Sequence, residues 1–135
     1  MTQIFDRREA LYDPIWGGVP PAGPAQLELL PPSPAFDELE NAVFAWGWAR
    51  GIVQNGKPMG QAIKTMEECA ELLDAVNRND MLDIKDAVGD VMVTLIMVCA
   101  TLGIEVTPCL ELAYREIKDR KGFLRPDGVF VKEST

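Results

Sequence analysis

The stretch from Lys64 to Asp90, KTMEECAELLDAVNRNDMLDIKDAVGD, carries two runs of carboxylates on either side of a short polar break. Side chains three and four apart share a helix face, so Glu68 and Glu71 point together, with Glu67 one turn before Glu71 and Lys64 one turn before Glu68. Beyond the break Asp83, Asp86 and Asp90 keep the same spacing and make a second ridge. Two helices joined by so short a turn set these ridges face to face. Like charges in a partly enclosed place are costly unless protons or cations neutralise them, and oxygen donors favour a hard divalent ion such as Mg²⁺. The competing reading is a solvated surface, because an isolated Glu-x-x-Glu is common on exposed helices.

The rest of the composition narrows the chemistry. Histidine is absent, which removes the usual zinc sites, the Ser-His-Asp arrangement and the Glu-x-x-His motif of di-iron bundles. With 13 Lys plus Arg against 21 Asp plus Glu, the net charge is −8, a balance that repels a nucleic-acid backbone. A phosphate-bearing small ligand would have to arrive with its metal or meet a local basic patch. The three cysteines, Cys69, Cys99 and Cys109, lack a paired spacing and read as buried free thiols of a reducing compartment. No signal-peptide pattern opens the chain and Val91 to Cys99 is too short to span a bilayer, so a cytoplasmic protein without a membrane partner is expected. At 135 residues a single domain is expected, small enough that a second subunit helps finish its core.

Residues 1–33 stand apart. WGGVPPAGPAQLELLPPS is dense in proline and glycine, which block helix and ladder alike, and reads as an extended arm. Its Ile4, Phe5, Leu11, Trp16, Leu27, Leu29 and Leu30 suit docking on a neighbouring subunit as well as they suit a free arm. Residues 34–135 read as one helical domain.

A first helix is expected from an N-cap at Ser33 with Pro34 at the first helical position, running to about Val53, with Phe36, Leu39, Val43, Trp46 and Ile52 as its apolar stripe. Trp46 and Trp48 are separated by about 200° of rotation and cannot share a face. Trp48 is the one expected to line a pocket. A second helix runs from near Pro58 to near Arg78, with Ile63, Met66, Ala70, Leu73 and Val76 on its apolar face. Asn79 and Asp80 supply a turn and an N-cap for a third, Met81 to Leu102. Its second half is apolar nearly all round and must be buried all round, which argues for a subunit interface. Gly103 ends that helix, and Gly89 within it suggests close approach of another helix or a ligand. Thr107 and Pro108 cap a fourth helix that carries Arg115, Lys118, Arg120 and Lys121 in its last turns up to Gly122. These cations either cap the helix or clamp a phosphate. The Pro-Asp-Gly turn in FLRPDGVFVKE predicts a small hairpin.

Three ordered blocks carry a resemblance: Lys64-x-x-Glu67-Glu68-x-x-Glu71-Leu72, then Asp86-Ala87-Val88-Gly89-Asp90 leading an apolar helix, then Glu116-Ile117-Lys118-Asp119-Arg120-Lys121-Gly122. Together, over roughly residues 38–132, they resemble the MazG-like all-α nucleoside triphosphate pyrophosphohydrolases, in particular the compact phage and bacterial type. The resemblance implies a four-helix bundle-like fold in a homodimer or a dimer of dimers, with Mg²⁺, or Mn²⁺ as an alternative, bound by Glu68, Glu71 and Asp90 with Glu67 close by. The family has a glutamate three residues before the aspartate of its second block. Here that position is Ala87, and the role passes to Asp86. The implied reaction is hydrolysis of a nucleoside triphosphate to the monophosphate and pyrophosphate, with Glu68 or Glu71 as base and Lys64, Trp48, Lys118, Arg120 and Lys121 on the substrate. A phosphoribosyl-ATP pyrophosphohydrolase and a non-catalytic helical dimerisation module are the alternatives.

Overall fold

A computed structural model describes residues 34–134, and the N-terminal arm and Ser33 lie outside the described residues. The described chain is helical up to a C-terminal hairpin: α1 (Phe36–Ala49), α2 (Ile52–Asn55), α3 (Pro58–Arg78), α4 (Met81–Thr101), α5 (Val106–Ile117), β1 (Gly122–Leu124) and β2 (Phe130–Lys132).

The most extensive packing is between α3 and α4. Their junction is two residues long because each residue completes one helix end. Asn79 takes a left-handed φ of 55° and the Asp80 N–H reaches back to the Ala75 carbonyl at 3.2 Å. The Asp80 carboxylate then accepts the backbone N–H groups of Leu82 and Asp83, the N-cap expected from the sequence.

The face that α3 turns inward differs from the one its apolar stripe predicts. Its least exposed positions, Thr65, Glu68, Leu72 and Ala75, recur at steps of three and four. Small residues explain the choice: Ala75 is 2 % exposed and Ala87 on α4 is 6 % exposed, so the backbones approach closely. Ile63, Met66, Leu73 and Val76 therefore remain on the open surface of the single chain.

The core continues along α4 through Thr94, Ile96 and Met97, against which α1 and α2 pack. Leu95 on α4 and Leu102 just past its end stay exposed within one chain. The expected first helix is broken. Gly51 adopts φ 76°, its N–H closes on Trp48 O, and Gln54 donates its side-chain amide to the same carbonyl at 3.1 Å, which satisfies the end of α1.

The start of α5 also differs, falling at Val106 rather than after Thr107. Its N-cap residue Glu105 makes no side-chain cap; instead the carboxylate of Glu40, on α1, accepts the Val106 N–H at 3.2 Å. The helix stops at Ile117, so Lys118, Arg120 and Lys121 lie in the link to the hairpin and only Arg115 is in the last turn. The hairpin itself is as expected. Phe123 pairs with Val131, and the turn closes through Gly128 N–H to Arg125 O at 2.9 Å. The thiols are less sheltered than expected, with Cys69 and Cys109 exposed and Cys99 half-buried. Burial first, then neighbouring Cys109, pushes the Cys99 thiol up, away from the reactive thiolate.

Within one chain the tight contact at a helix glycine is at Gly47, and Gly89 is open. A Cβ at Gly47 would overlap the sulfur and terminal methyl of Met97, whereas one at Gly89 would meet nothing within 4 Å. The two helix glycines should therefore respond with opposite signs. Gly89→Ala is expected to stabilise the protein by roughly 0.5–1 kcal/mol through helix propensity. Gly47→Ala is expected to destabilise it, because overpacking at about 1–3 kcal/mol exceeds that gain. Equilibrium denaturant unfolding checks both.

Candidate functional site

The α3–α4 pairing brings the two acidic ridges together at Glu68 and Asp90. Glu68 is only 8 % exposed although it is a carboxylate, and its one ion-pair partner among the described residues is Lys64, whose Nζ lies 2.9 Å from Oε1. The same ammonium lies 3.1 Å from Glu67 Oε2. These two carboxylates, Glu68 first, hold the lysine's pKa above its ordinary value, so the group stays charged.

Asp90 faces them from α4. Loss of solvent is the first cause that pushes its carboxyl up, followed by the charges of Asp86 and Glu68, with Lys64 opposing. Such mutual action places Asp86, Asp90, Glu68 and Lys64 within one electrostatic neighbourhood.

Two clefts meet at Asp90. One, of about 570 Å³, is acidic and is lined by Glu71, Asp74, Asp83, Asp86 and Asp90, with Ala70, Ala75 and Ala87 as its floor. Arg78 closes it, held by Asp74 at 2.9 Å and Asp83 at 2.8 Å. The other, of about 660 Å³, is mostly apolar. Leu39, Val43, Trp46, Ile52, Val93 and Met97 wall it, and Gln61, Lys64, Glu68, Asp90 and Thr94 supply its polar edge.

Sequence-predicted residues distribute unevenly over this arrangement. Glu68 and Asp90 line the apolar cleft and Glu71, Asp86 and Asp90 the acidic one, whereas Glu67 lines neither and has a half-exposed side chain. The tryptophan in the cleft is Trp46, not Trp48. Trp48 points away, 54 % exposed, and stacks on Phe44 with ring centroids 6.1 Å apart. The 200° separation holds, and the Leu39, Val43, Trp46 stripe is the cleft wall. Arg50 lies over the Trp46 ring at 4.7 Å from its centroid. Arg120 and Lys121 line a separate cavity with Lys132 at the base of the hairpin, with none of the α3 or α4 carboxylates in it. Among the described residues the ion-pair partner of Lys118 is Asp119, at 3.9 Å. Within one chain these three cations are not brought to the carboxylates. Arg78, Asp74, Asp83, Gln61 and Trp46 are among the lining residues that the sequence did not assign to a site. For Arg78 the signal was present, since Asp74 lies one turn before it.

Among the described residues no three carboxylates converge closely enough to hold an ion between them. The donor chemistry nonetheless fits one. Glu68, Glu71, Asp86 and Asp90 offer oxygen only, and the Asp90 carboxyl, pushed up first by loss of solvent and then by the charges of Asp86 and Glu68, is a group whose charged form a cation would favour.

The comparisons with known proteins agree with this frame. The sequence profile of the phosphoribosyl-ATP pyrophosphohydrolase family matches residues 54–118, which span α3, α4 and α5. An uncharacterised 18.2 kDa protein from the rep-hol intergenic region of Haemophilus phage HP1 is 34 % identical over 62 residues, 46 % of this chain. The matched stretch covers 38 % of that phage protein's length. Among solved structures, the cyanophage S-2L MazG-like pyrophosphohydrolase, bound to dGDP and three catalytic Mn²⁺ ions per active site, superposes with a TM-score of 0.57 at 20 % identity. It covers 76 % of this chain and all of its own. The bundle is thus the MazG-like all-α fold. Residues 54–118 resemble the phosphoribosyl-ATP pyrophosphohydrolase family, in line with what the three sequence blocks implied.

The raised Asp90 gives a signed prediction. A carboxyl whose folded pKa exceeds its unfolded value favours the fold in acid and loses that contribution as pH rises through the folded pKa. Asp90→Asn is therefore expected to raise the melting temperature of the metal-free protein at neutral pH. The gain should shrink to nothing as pH falls below about 4, the unfolded range of aspartate. Melting curves across that interval check it.

Proposed function

We propose that this protein is a divalent-metal-dependent nucleoside triphosphate pyrophosphohydrolase that releases the nucleoside monophosphate and pyrophosphate. The observation that carries the proposal is the meeting, at Asp90 and the buried Glu68, of an acidic cleft and an apolar cleft walled by an aromatic ring. A nucleotide needs both surfaces: a π-face for its base and neutralised charge for its phosphates.

Mg²⁺, or Mn²⁺, bound by Glu68, Glu71, Asp86 and Asp90 with Glu67 beside them, would neutralise phosphate oxygens and lower the pKa of a water. The chain's own groups do the rest. Glu71, or Glu68, accepts the proton of the water that attacks the α-phosphorus. Trp46 stacks the base and orients the triphosphate toward Asp90. Lys64, at the mouth of the apolar cleft, supplies positive charge to a phosphate. Attack at the α-phosphorus forms its bond to the water oxygen and breaks its bond to the α,β-bridging oxygen, so the two distal phosphates leave together as pyrophosphate.

The family match favours one second reading, phosphoribosyl-ATP as substrate. Assaying pyrophosphate release from that compound beside canonical, deoxy and damaged nucleoside triphosphates separates the two. The exposed apolar stripe of α3 and the open side of α4 support assembly as a homodimer or a dimer of dimers, which light scattering checks. A purely structural dimerisation module would use the same stripe but has no use for a buried carboxylate at Glu68. Residues 1–33 are the arm of the proposed domain organisation, and a cytoplasmic location accords with free thiols. No single helix among the described residues is long and apolar enough to cross a membrane.

If the assignment holds, Glu71→Gln should lower the rate of pyrophosphate release by about 10²-fold or more, since general-base action alone supplies ~10² to 10⁴. Asp86→Asn should cost less than Asp90→Asn, because Asp86 substitutes for the family's longer side chain. Parental rates in Glu71→Gln would refute the assignment.

A further inference from the structure

The carboxylate centre already contains a cation of its own. Lys64 Nζ lies within hydrogen-bonding distance of both Glu68 and Glu67, the lysine side chain is 51 % exposed, and it is the one basic residue lining the apolar cleft. The second basic group nearby, Arg78, is tied to Asp74 and Asp83 at the far end of the acidic cleft. Glu68, by contrast, is nearly closed off from solvent and has no other positively charged partner among the described residues.

We propose that Lys64 is the internal counter-ion of the metal-free site: its ammonium holds Glu68 until a divalent cation takes that carboxylate, and then turns along the polar edge of the apolar cleft, toward Asp90, to meet a substrate phosphate. The inference rests on the metal-dependent reading above and adds a competition to it. An ammonium and a divalent ion cannot share the Oε1 face of Glu68, because both need the same lone pairs and repel each other. A flexible four-carbon stem lets the lysine leave without moving the helix, which a planar, multiply bonded arginine would resist. The exposed half of the side chain gives it room to turn. Lys64 is thus a positioning residue whose departure couples metal entry to substrate charge.

The distinguishing readout is affinity for Mn²⁺ alone, measured from the signal of free Mn²⁺ in electron paramagnetic resonance, without substrate or turnover. Removing the competitor in Lys64→Met should tighten Mn²⁺ binding by up to about fivefold, the upper end of what breaking one half-exposed ion pair gives. Lys64→Gln is a second neutral variant should the first fold poorly, and Lys64→Arg, which keeps the charge, should bind no more tightly than the parent. Lys132→Gln, on the hairpin, removes the same unit of charge away from the carboxylates and should leave the affinity unchanged. In the metal-free state Lys64→Met should melt at a lower temperature than the parent, and Mn²⁺ should narrow that difference. Equal or weaker Mn²⁺ binding in both neutral variants, with the parent binding normally, overturns the inference alone. Equal tightening in Lys132→Gln overturns it as well, because bulk charge would then explain the effect. A parent that takes up no Mn²⁺ below the millimolar range overturns the metal reading and this inference with it.

Discussion

Glu68 and Asp90 repel each other across the α3–α4 interface, and the packing of that interface holds them there. Ala75 and Ala87 allow the two backbones to approach, the two-residue junction at Asn79 and Asp80 fixes their register, and the carboxylates follow. A solvated acidic surface would let such side chains splay apart. Here one of them is nearly buried and the other is held above its ordinary pKa chiefly by loss of solvent. The fold therefore stores an electrostatic debt at one point, and a bound cation is the simplest way to relieve it.

The position of that point matters as much as its charge. Asp90 lies on the border of two clefts of unlike character, one walled by Trp46 and aliphatic side chains, the other by aspartates. A ligand with an aromatic end and a polyanionic end would meet each surface with its matching part, so orientation follows from the fold before any reaction begins. The large apolar side chains that α3 leaves outside, together with the open side of α4, show that the single chain does not bury all the surface its sequence makes available.

Much of this was legible in the sequence, where the signals are local. Pro58, Asn79 and Asp80 mark the ends of α3 and the start of α4 because each acts on its own backbone, and Pro126, Asp127 and Gly128 mark the hairpin turn for the same reason. Signals that depend on distant partners were misread. The start of α5 is set by Glu40, 66 residues earlier in the chain, so Thr107 and Pro108 were poor guides. Helical periodicity identifies an apolar stripe but not what covers it, so it could not say that the Leu39, Val43, Trp46 stripe walls a cleft or that the Ile63, Met66, Leu73 stripe stays open in one chain. Within the candidate site, spacing alone grouped Glu68 with Glu71 and Asp86 with Asp90. The division of Glu68 from Glu71 between two clefts, and the burial of Glu68, required the pairing of α3 with α4.

Paramagnetic broadening of backbone amide signals by substoichiometric Mn²⁺ tests the central claim most directly, because it reports where the cation resides without assuming a reaction. A built cation site predicts that broadening begins in the middle of α3 and α4, around Glu68, Glu71, Asp86 and Asp90, while Asp37, Glu111 and Asp127 keep their signals at the same dose. Broadening spread evenly over all these acidic residues would show that the ridges are an ordinary charged surface and would contradict the account.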